Sequence, residues 1–324
     1  MVTRPAVAAR SGTLAGIAAY SLWGIFPLVF HQLSSVSPFE VLLHRVVWSF
    51  VVVVALLALR RDHGWLRPLV RDPRLLGRLG AAGLLVAVNW LVYIWAVERG
   101  HVVEAALGYY INPLLTVALG VAVLGERLKR AQKVALLLGA ASVAVLTAAY
   151  GRVPWIAVTL ALTFASYGLL KKTVPLGATA SLGVETGLLL PFAAIALVAL
   201  HVRGETAFLH GSGGRDALLV SLGLVTAVPL LLFGLSARRI PLILLGLLQY
   251  LTPTLQLLCG VVLLGEDLPP ERLVGFVLVW CALIVLAVDA VRTARRRTVV
   301  TGGRDGVGAG AGAGGDVLPV AEPA

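Results

Sequence analysis

Apolar runs of about 17 to 24 residues alternate with short clusters of Arg, Lys, Gly and Pro along almost the whole chain. A helix needs about 20 apolar residues to cross a hydrocarbon core of ~30 Å. Ten stretches qualify, residues 12–31, 39–59, 79–98, 102–124, 133–150, 154–170, 180–200, 217–236, 241–264 and 273–291. Two runs also share an internal pattern. Leu107–Leu128 reads LGYYINPLLTVALGVAVLGERL, and Leu247–Leu268 reads LLQYLTPTLQLLCGVVLLGEDL. At a constant offset of about 140 residues, Tyr110/Tyr250, Pro113/Pro253, Gly120/Gly260, Gly125/Gly265 and Glu126/Glu266 coincide. Leu and Val matches weigh little in so apolar a chain, so these five carry the signal. The pattern predicts an all-α membrane protein of ten transmembrane helices, in two copies of a five-helix unit. The copies span 12–150 and 151–291, between an N-terminal tail, 1–11, and a C-terminal tail, 292–324.

Charge placement adds an orientation. Arg4 and Arg10, the cluster from Arg60 to Arg78 that includes Arg67 and Arg71, Arg127 to Lys133, Lys171 and Lys172, Arg238 and Arg239, and Arg292 to Arg304 all fall on one side. The other side holds Arg99, Arg152, Arg203, Arg215 and Arg272. The positive-inside rule then puts both termini in the cytoplasm. Five is odd, so the second copy enters from the opposite side, giving the inverted repeat from which many secondary transporters are built. Trp23–Gly24 and Tyr167–Gly168 match weakly between the first helices of the halves.

The formal charge of +11 therefore needs no nucleic-acid partner. Hydrophobic residues make up 59% of the chain and charged ones 13%, with mean hydropathy +0.92, so the expected solvent is lipid. No P-loop, HExxH, CxxC or nucleophile elbow stands in a usable context, so neither enzyme activity nor a cofactor is expected. Cys259 and Cys281 read as small apolar residues within helices. His101 and Glu104 spell HxxE without further ligands, so no metal is expected. Arg4 and Arg10 precede a run too long for a signal peptide, which reads as a retained first helix. After Arg297 the chain turns rich in Gly, Ala and Pro without periodicity and reads as disordered. Its Gly310, Gly312 and Gly315 spell a dinucleotide motif with no strand before it.

Polar residues inside lipid are costly and mark function. Pro113 and Pro253 predict breaks in the fourth and ninth segments, since each removes a backbone donor. Tyr110 and Asn112 flank the first, and Gln249, Tyr250 and Thr252 the second. A packing kink is the competing reading for one proline, whereas two matched breaks predict the walls of a cavity. Asn89 lies too deep for the aromatic belt that accounts for Trp95 and joins the cavity candidates, with Trp23 and Tyr167. His44 and Arg45 sit in the second segment, Glu40 one turn before His44 at an expected interface. The offset sets Arg45 against Glu185, so that the two charges could meet as a gate or coupling pair; a snorkelling arginine and an interfacial glutamate is the alternative. Gly12/Gly16 and Gly183/Gly187 predict close helix crossings.

The strings AAYSLWGIFPLVF, EVLLHRVVWSF, NWLVYIWAV, EAALGYYINPL, YGLLKK, VPLLLFGLSA and LGLLQYLTPT resemble the RarD group of EamA-type permeases, in the drug/metabolite transporter superfamily. The likeness runs over residues 12–297 and omits the tail. It implies a multi-pass protein of the bacterial inner membrane, with ten helices in two inverted repeats, whose group is linked by name to chloramphenicol sensitivity or drug/metabolite transport. His31 departs from the lysine frequent in relatives, which removes a fixed cation there.

Residues and resemblance together predict a secondary transporter of small organic metabolites or drugs, working by alternating access, with export implied by the family alone. Trp23, Asn89, Tyr110, Asn112, Tyr167, Gln249, Tyr250 and Thr252 form the expected substrate-binding set, and His44, Arg45 and Glu185 the gate or coupling set. The expected partners are a small-molecule solute and the lipid bilayer. An ion-independent facilitator or exchanger, proton coupling and a homodimer stay open, as does, further off, a membrane-embedded enzyme.

Overall fold

The computed structural model describes residues 4–61, 64–65, 69, 72–124, 128–172, 174–237, 239–240 and 242–305. Gly125, Glu126 and Arg127, which close the first copy of the repeated pattern, lie outside the described residues. So do Arg67, Arg71, Arg238 and the glycine motif of the tail.

Apolar runs become helices because a bilayer offers no partner for a free backbone N–H or C=O. The helices are α1 (Arg4–Gly24), α2 (Phe26–His31), α3 (Pro38–Leu59), α4 (Pro73–Glu98), α5 (Val102–Leu124), α6 (Arg130–Tyr150), α7 (Trp155–Lys172), α8 (Ala178–Val202), α9 (Gly213–Ala237), α10 (Leu242–Leu248), α11 (Leu251–Leu258) and α12 (Pro270–Asp305), with a π-helical turn over Cys259–Leu263. Among the described residues, nine spans are long and apolar enough to cross a membrane, and Trp155–Lys171 is a shorter apolar helix. Starts are written locally. Ser37 Oγ accepts from Glu40 N at 3.2 Å ahead of Pro38, and Asp72 Oδ1 accepts from Arg74 N and Leu75 N at 2.9 and 3.2 Å ahead of Pro73.

The breaks follow expectation in the ninth segment and depart from it in the first and fourth. The first segment, expected whole, divides at Ile25 into α1 and α2 because Pro27 has no N–H to return to Trp23. The ninth divides at Gln249–Tyr250, four residues before Pro253. The fourth, expected to break at Pro113, runs unbroken as α5, and Pro191 and Pro229 likewise sit inside α8 and α9. One proline costs a helix about 3 kcal/mol, and α5 is packed along its length against α7 and α11, which offsets it. α12 continues to Asp305, beyond Arg297 where composition predicts an end; extending an existing helix costs far less than nucleating one.

Eight helical segments pack in a closed circuit, α1–α9–α3–α8–α4–α7–α5–α11 and back to α1. α6 and α12 pair with each other beside it, touching it through α5. The two glycine pairs sit at crossings of this circuit. A Cβ on Gly12 or Gly16 would meet Arg239 and Ser236, and one on Gly183 or Gly187 would meet Val53 and Phe50. The flanks are apolar and exposed, as in Phe192, Ile195 and Val202 of α8 and Leu137 of α6, a surface that lipid solvates. α2 bends away from α1 and packs on α4 and the π turn, with Phe26 and Phe30 in the larger apolar core.

Candidate functional site

A side-chain contact that skips a neighbour in the circuit marks the region the helices enclose. Several do so. Asn89 on α4 donates from Nδ2 to Leu160 O and Thr163 Oγ1 on α7, at 3.0 and 2.9 Å, and accepts from Tyr109 OH on α5 at 3.2 Å. Tyr109 also meets the rings of Tyr93 and Phe164 edge-on. On the far side of α4, the Glu185 carboxylate of α8 accepts from Lys171 Nζ at 2.6 Å and Tyr167 OH at 3.1 Å, both on α7. Ser181 Oγ adds a bond at 2.7 Å and is itself bonded to Lys171.

Arg45 is 4% exposed. Its Nε donates to Thr226 Oγ1 on α9 at 3.1 Å. The guanidinium carbon lies 4.0 Å from the Trp90 ring centre and 5.6 and 5.5 Å from those of Phe26 and Phe30. Cation–π attraction of this kind is worth ~0.5–2 kcal/mol, against about 2.5–3.5 kcal/mol for placing Arg at a membrane-helix centre. Arg45 and Glu185, expected to pair, are not brought together. Glu185 has Lys171, one turn beyond Tyr167, and Arg45 has aromatic faces. The offset aligns positions in sequence, but α7 supplies a lysine that reaches Glu185 first.

The other expected residues divide. Trp23 sits edge-on to Tyr20 and tilted to Phe233, at 5.6 and 5.9 Å. Tyr110 is expected on a cavity wall, yet it shares a 2.8 Å hydrogen bond with Thr254 and packs on Phe276 and Trp280 of α12. Asn112 is buried, its Oδ1 without a hydrogen-bond partner among the described residues, while its backbone O accepts from Thr116 Oγ1 at 2.9 Å. Thr252 is expected at substrate and is instead committed to the backbone, donating to Tyr20 O at 2.9 Å. Gln249 and Tyr250 form the turn between α10 and α11, partly exposed. His44 accepts from Trp48 Nε1 on Nδ1 at 3.3 Å, and its ring lies tilted against that of Phe208 at 4.6 Å. His31 is exposed at the end of α2.

Sequence reasoning missed several groups. Glu40, expected at an exposed interface, is 1% exposed and accepts from Thr206 Oγ1, Ala207 N and Phe208 N at 2.7–3.0 Å, pinning the loop before α9. Glu266 accepts from Val102 N and Val103 N at 2.6 and 2.8 Å, capping α5. Glu104 pairs with Arg152 at 2.8 Å and accepts from Ile156 N at 3.1 Å, capping α7. Glu40 and Glu104, in the first turns of α3 and α5, and Glu266, in the loop before α12, each hold backbone N–H groups remote in sequence, which no local pattern encodes. A cavity of about 310 Å³ opens beside these caps, lined by His101, Tyr150, Arg152 and Arg272 among others. One of about 540 Å³ opens at the opposite end, between Leu57, Arg60, Thr179 and Leu230. None of the eight expected substrate-binding residues lines either.

Apolar helices packed in a circuit, with amide, aromatic and charged groups bridging its members, define a multi-pass helical membrane protein. Comparison with known proteins makes the class particular. The model of the EamA-like transporter family matches residues 10–148. Protein RarD of Streptomyces exfoliatus is 50% identical over 288 residues, covering 89% of this chain and 91% of that one. An uncharacterized transporter of Pseudomonas aeruginosa is 44% identical over 289 residues, covering 89% and 96%. A solved crystal structure matches at 26% identity with a TM-score of 0.56, over 88% of this chain and 99% of that one. The chain belongs to the EamA-like transporter family, in its RarD group, and is a multi-pass membrane protein of bacterial type.

Proposed function

We propose that the protein is a secondary transporter of small organic solutes in the bacterial inner membrane, working by alternating access between two inverted halves, 12–150 and 151–291, with both termini cytoplasmic. One observation carries the reading. Numbering the membrane segments from one to ten, with α1–α2 as the first and α10–α11 with the π turn as the ninth, adding five to a segment number maps one packing pair onto another. α1 on α9 becomes α7 on α4, α1 on α11 becomes α7 on α5, and α3 on α9 becomes α8 on α4. Pairs α3–α8, α5–α11 and α6–α12 map onto themselves. A chain of two like halves produces that exchange, and an odd number of crossings inverts one half. The family match over 10–148 falls on the first half.

Asn89, Trp23, Tyr167, Gln249 and Tyr250 are the residues for solute recognition in this reading; Tyr110, Asn112 and Thr252 hold the helices that present them. Aromatic and amide surfaces suit flat, amphipathic molecules. Glu185 with Lys171 is the gate or coupling element. An exchanger that moves no proton is the second reading, favoured because the buried carboxylates Glu40, Glu104 and Glu185 are each held by a cation or by N–H and O–H donors. Counterflow in proteoliposomes tests transport: labelled aromatic metabolites accumulate against unlabelled solute only if the protein carries them. Accumulation driven by an imposed pH gradient selects proton coupling, and indifference to the gradient selects exchange. No counterflow with any solute that stabilises the purified protein would remove the transport mechanism.

A further inference from the structure

Arg45 is a buried cation without a counter-ion. Among the described residues no carboxylate lies within ion-pair distance of it. Glu40, on the same helix, spends its oxygens on Thr206, Ala207 and Phe208. Glu185 is held by Lys171. A guanidinium has five N–H donors, and here the one hydrogen bond is from Nε to Thr226. The two terminal nitrogens have no hydrogen-bond acceptor among the described residues. Unpaired charge in a membrane protein faces the bundle interior and marks a pathway, and its usual cure is a partner of opposite sign.

The surroundings say what kind of partner. Arg45 projects from α3 to its circuit neighbour α9 through Thr226 and, beyond the neighbours, to α2 through Phe26 and Phe30 and to α4 through Trp90. Trp90 is partly exposed, whereas Phe26 and Phe30 belong to the core. The groups against the guanidinium are therefore aromatic faces and the Thr226 hydroxyl, with no carboxylate among the described residues at ion-pair distance. We infer that Arg45 anchors the carboxylate of an amphipathic organic acid whose apolar body lies on Trp90 and the neighbouring rings. A carboxylate matches the planar guanidinium fork with two parallel hydrogen bonds, and aromatic walls reward a flat hydrocarbon body. The inference rests on the transporter reading only in treating the enclosed region as the solute's site. It narrows the solute from amphipathic molecules at large to organic anions.

The test is binding, which does not depend on flux. Purified full-length protein in nanodiscs is titrated with benzoate, benzamide and benzylamine at one ionic strength, and its thermal unfolding midpoint is followed. Bound ligand raises the midpoint by mass action. Benzoate should bind at least tenfold more tightly than benzamide, and benzylamine should not bind. Arg45→Gln should bring benzoate down to the level of benzamide, whereas Arg45→Lys, which keeps the charge and loses the fork, should fall between. Should Arg45→Gln fail to fold, the ranking of the three probes on the unaltered protein still decides. Equal binding of benzoate and benzamide, no binding of benzoate, equal stabilisation by sodium chloride, or undiminished benzoate binding in a folded Arg45→Gln protein would each overturn the assignment. Binding in the expected order without counterflow would instead count against the transport mechanism and leave the anion site in place.

Discussion

Gln256 on α11 donates from Nε2 to the carbonyl oxygen of Trp23 at 3.3 Å, supplying with a side chain the bond that Pro27 withholds from the backbone. Cys259 does the same for Gly24 O, at 3.8 Å from its sulfur, and Thr252 reaches Tyr20 O. The break between α1 and α2 is thus satisfied by the ninth segment. Leaving a buried acceptor unpaired costs about 1–3 kcal/mol. Gln256→Leu should therefore lower stability by about that amount in reversible unfolding of detergent-solubilised protein. Pro27→Ala in the same chain should recover part of the loss, because residue 27 regains its N–H. An unchanged midpoint in Gln256→Leu would mean water already serves Trp23.

Lys171 and Glu185 should behave as one unit. Removing either partner strands the other in a poor solvent, so Lys171→Met and Glu185→Gln should each destabilise the protein, and the double change should cost less than their sum. The interaction energy should exceed about 0.5 kcal/mol. Arg45→Gln combined with Glu185→Gln should be additive within that margin. Coupling between Arg45 and Glu185 with none between Lys171 and Glu185 would contradict the arrangement described here.

Topology is read by labelling. In a background lacking Cys259 and Cys281, a cysteine at Ser212, in the exposed loop before α9, should react with an impermeant maleimide added outside intact cells. A cysteine at Ala131, in the first turn of α6, should react only after the membrane is opened. Reaction of both from one side would remove the inverted repeat.

Glu266→Gln should loosen the start of α5. One charge-assisted bond becomes a weaker neutral one and the other is lost, because the amide NH2 that replaces an oxygen cannot accept from a backbone N–H. The loss is about 1–3 kcal/mol, and the amides of Val102 and Val103 should exchange hydrogen faster than those deeper in α5. Equal protection in both proteins would show that Glu266 is dispensable as a cap.

Much of the fold was legible because lipid makes the rules simple: apolar length gives the spans. Where the helices divide was less so. Pro113 and Pro27 look alike in sequence, yet one sits in a helix packed on both sides and the other at a segment end free to turn across toward α4. The site was partly legible. Asn89 stood out as an amide too deep for the interface, and it does join three helices. Arg45 stood out as a charge, but its surroundings depend on Phe26, Phe30 and Trp90, which read as ordinary membrane aromatics until three helices converge. The engagements of Thr252 with Tyr20 O and of Tyr110 with Thr254 were not legible, since each joins helices far apart in sequence.

The three pairs that map onto themselves, α3–α8, α5–α11 and α6–α12, have the form of contacts across a twofold axis in a homodimer. On the reading proposed above, the chain is a fused pair of half-length subunits, one threaded into the membrane upside down. The peptide link near residue 151 then serves chiefly to fix stoichiometry and to guarantee that each half meets a partner of opposite insertion. Once joined, the halves were free to diverge, so that a position carrying a cation in one, Arg45, could carry an acid in the other, Glu185. A symmetric dimer of identical subunits has no means of writing that difference.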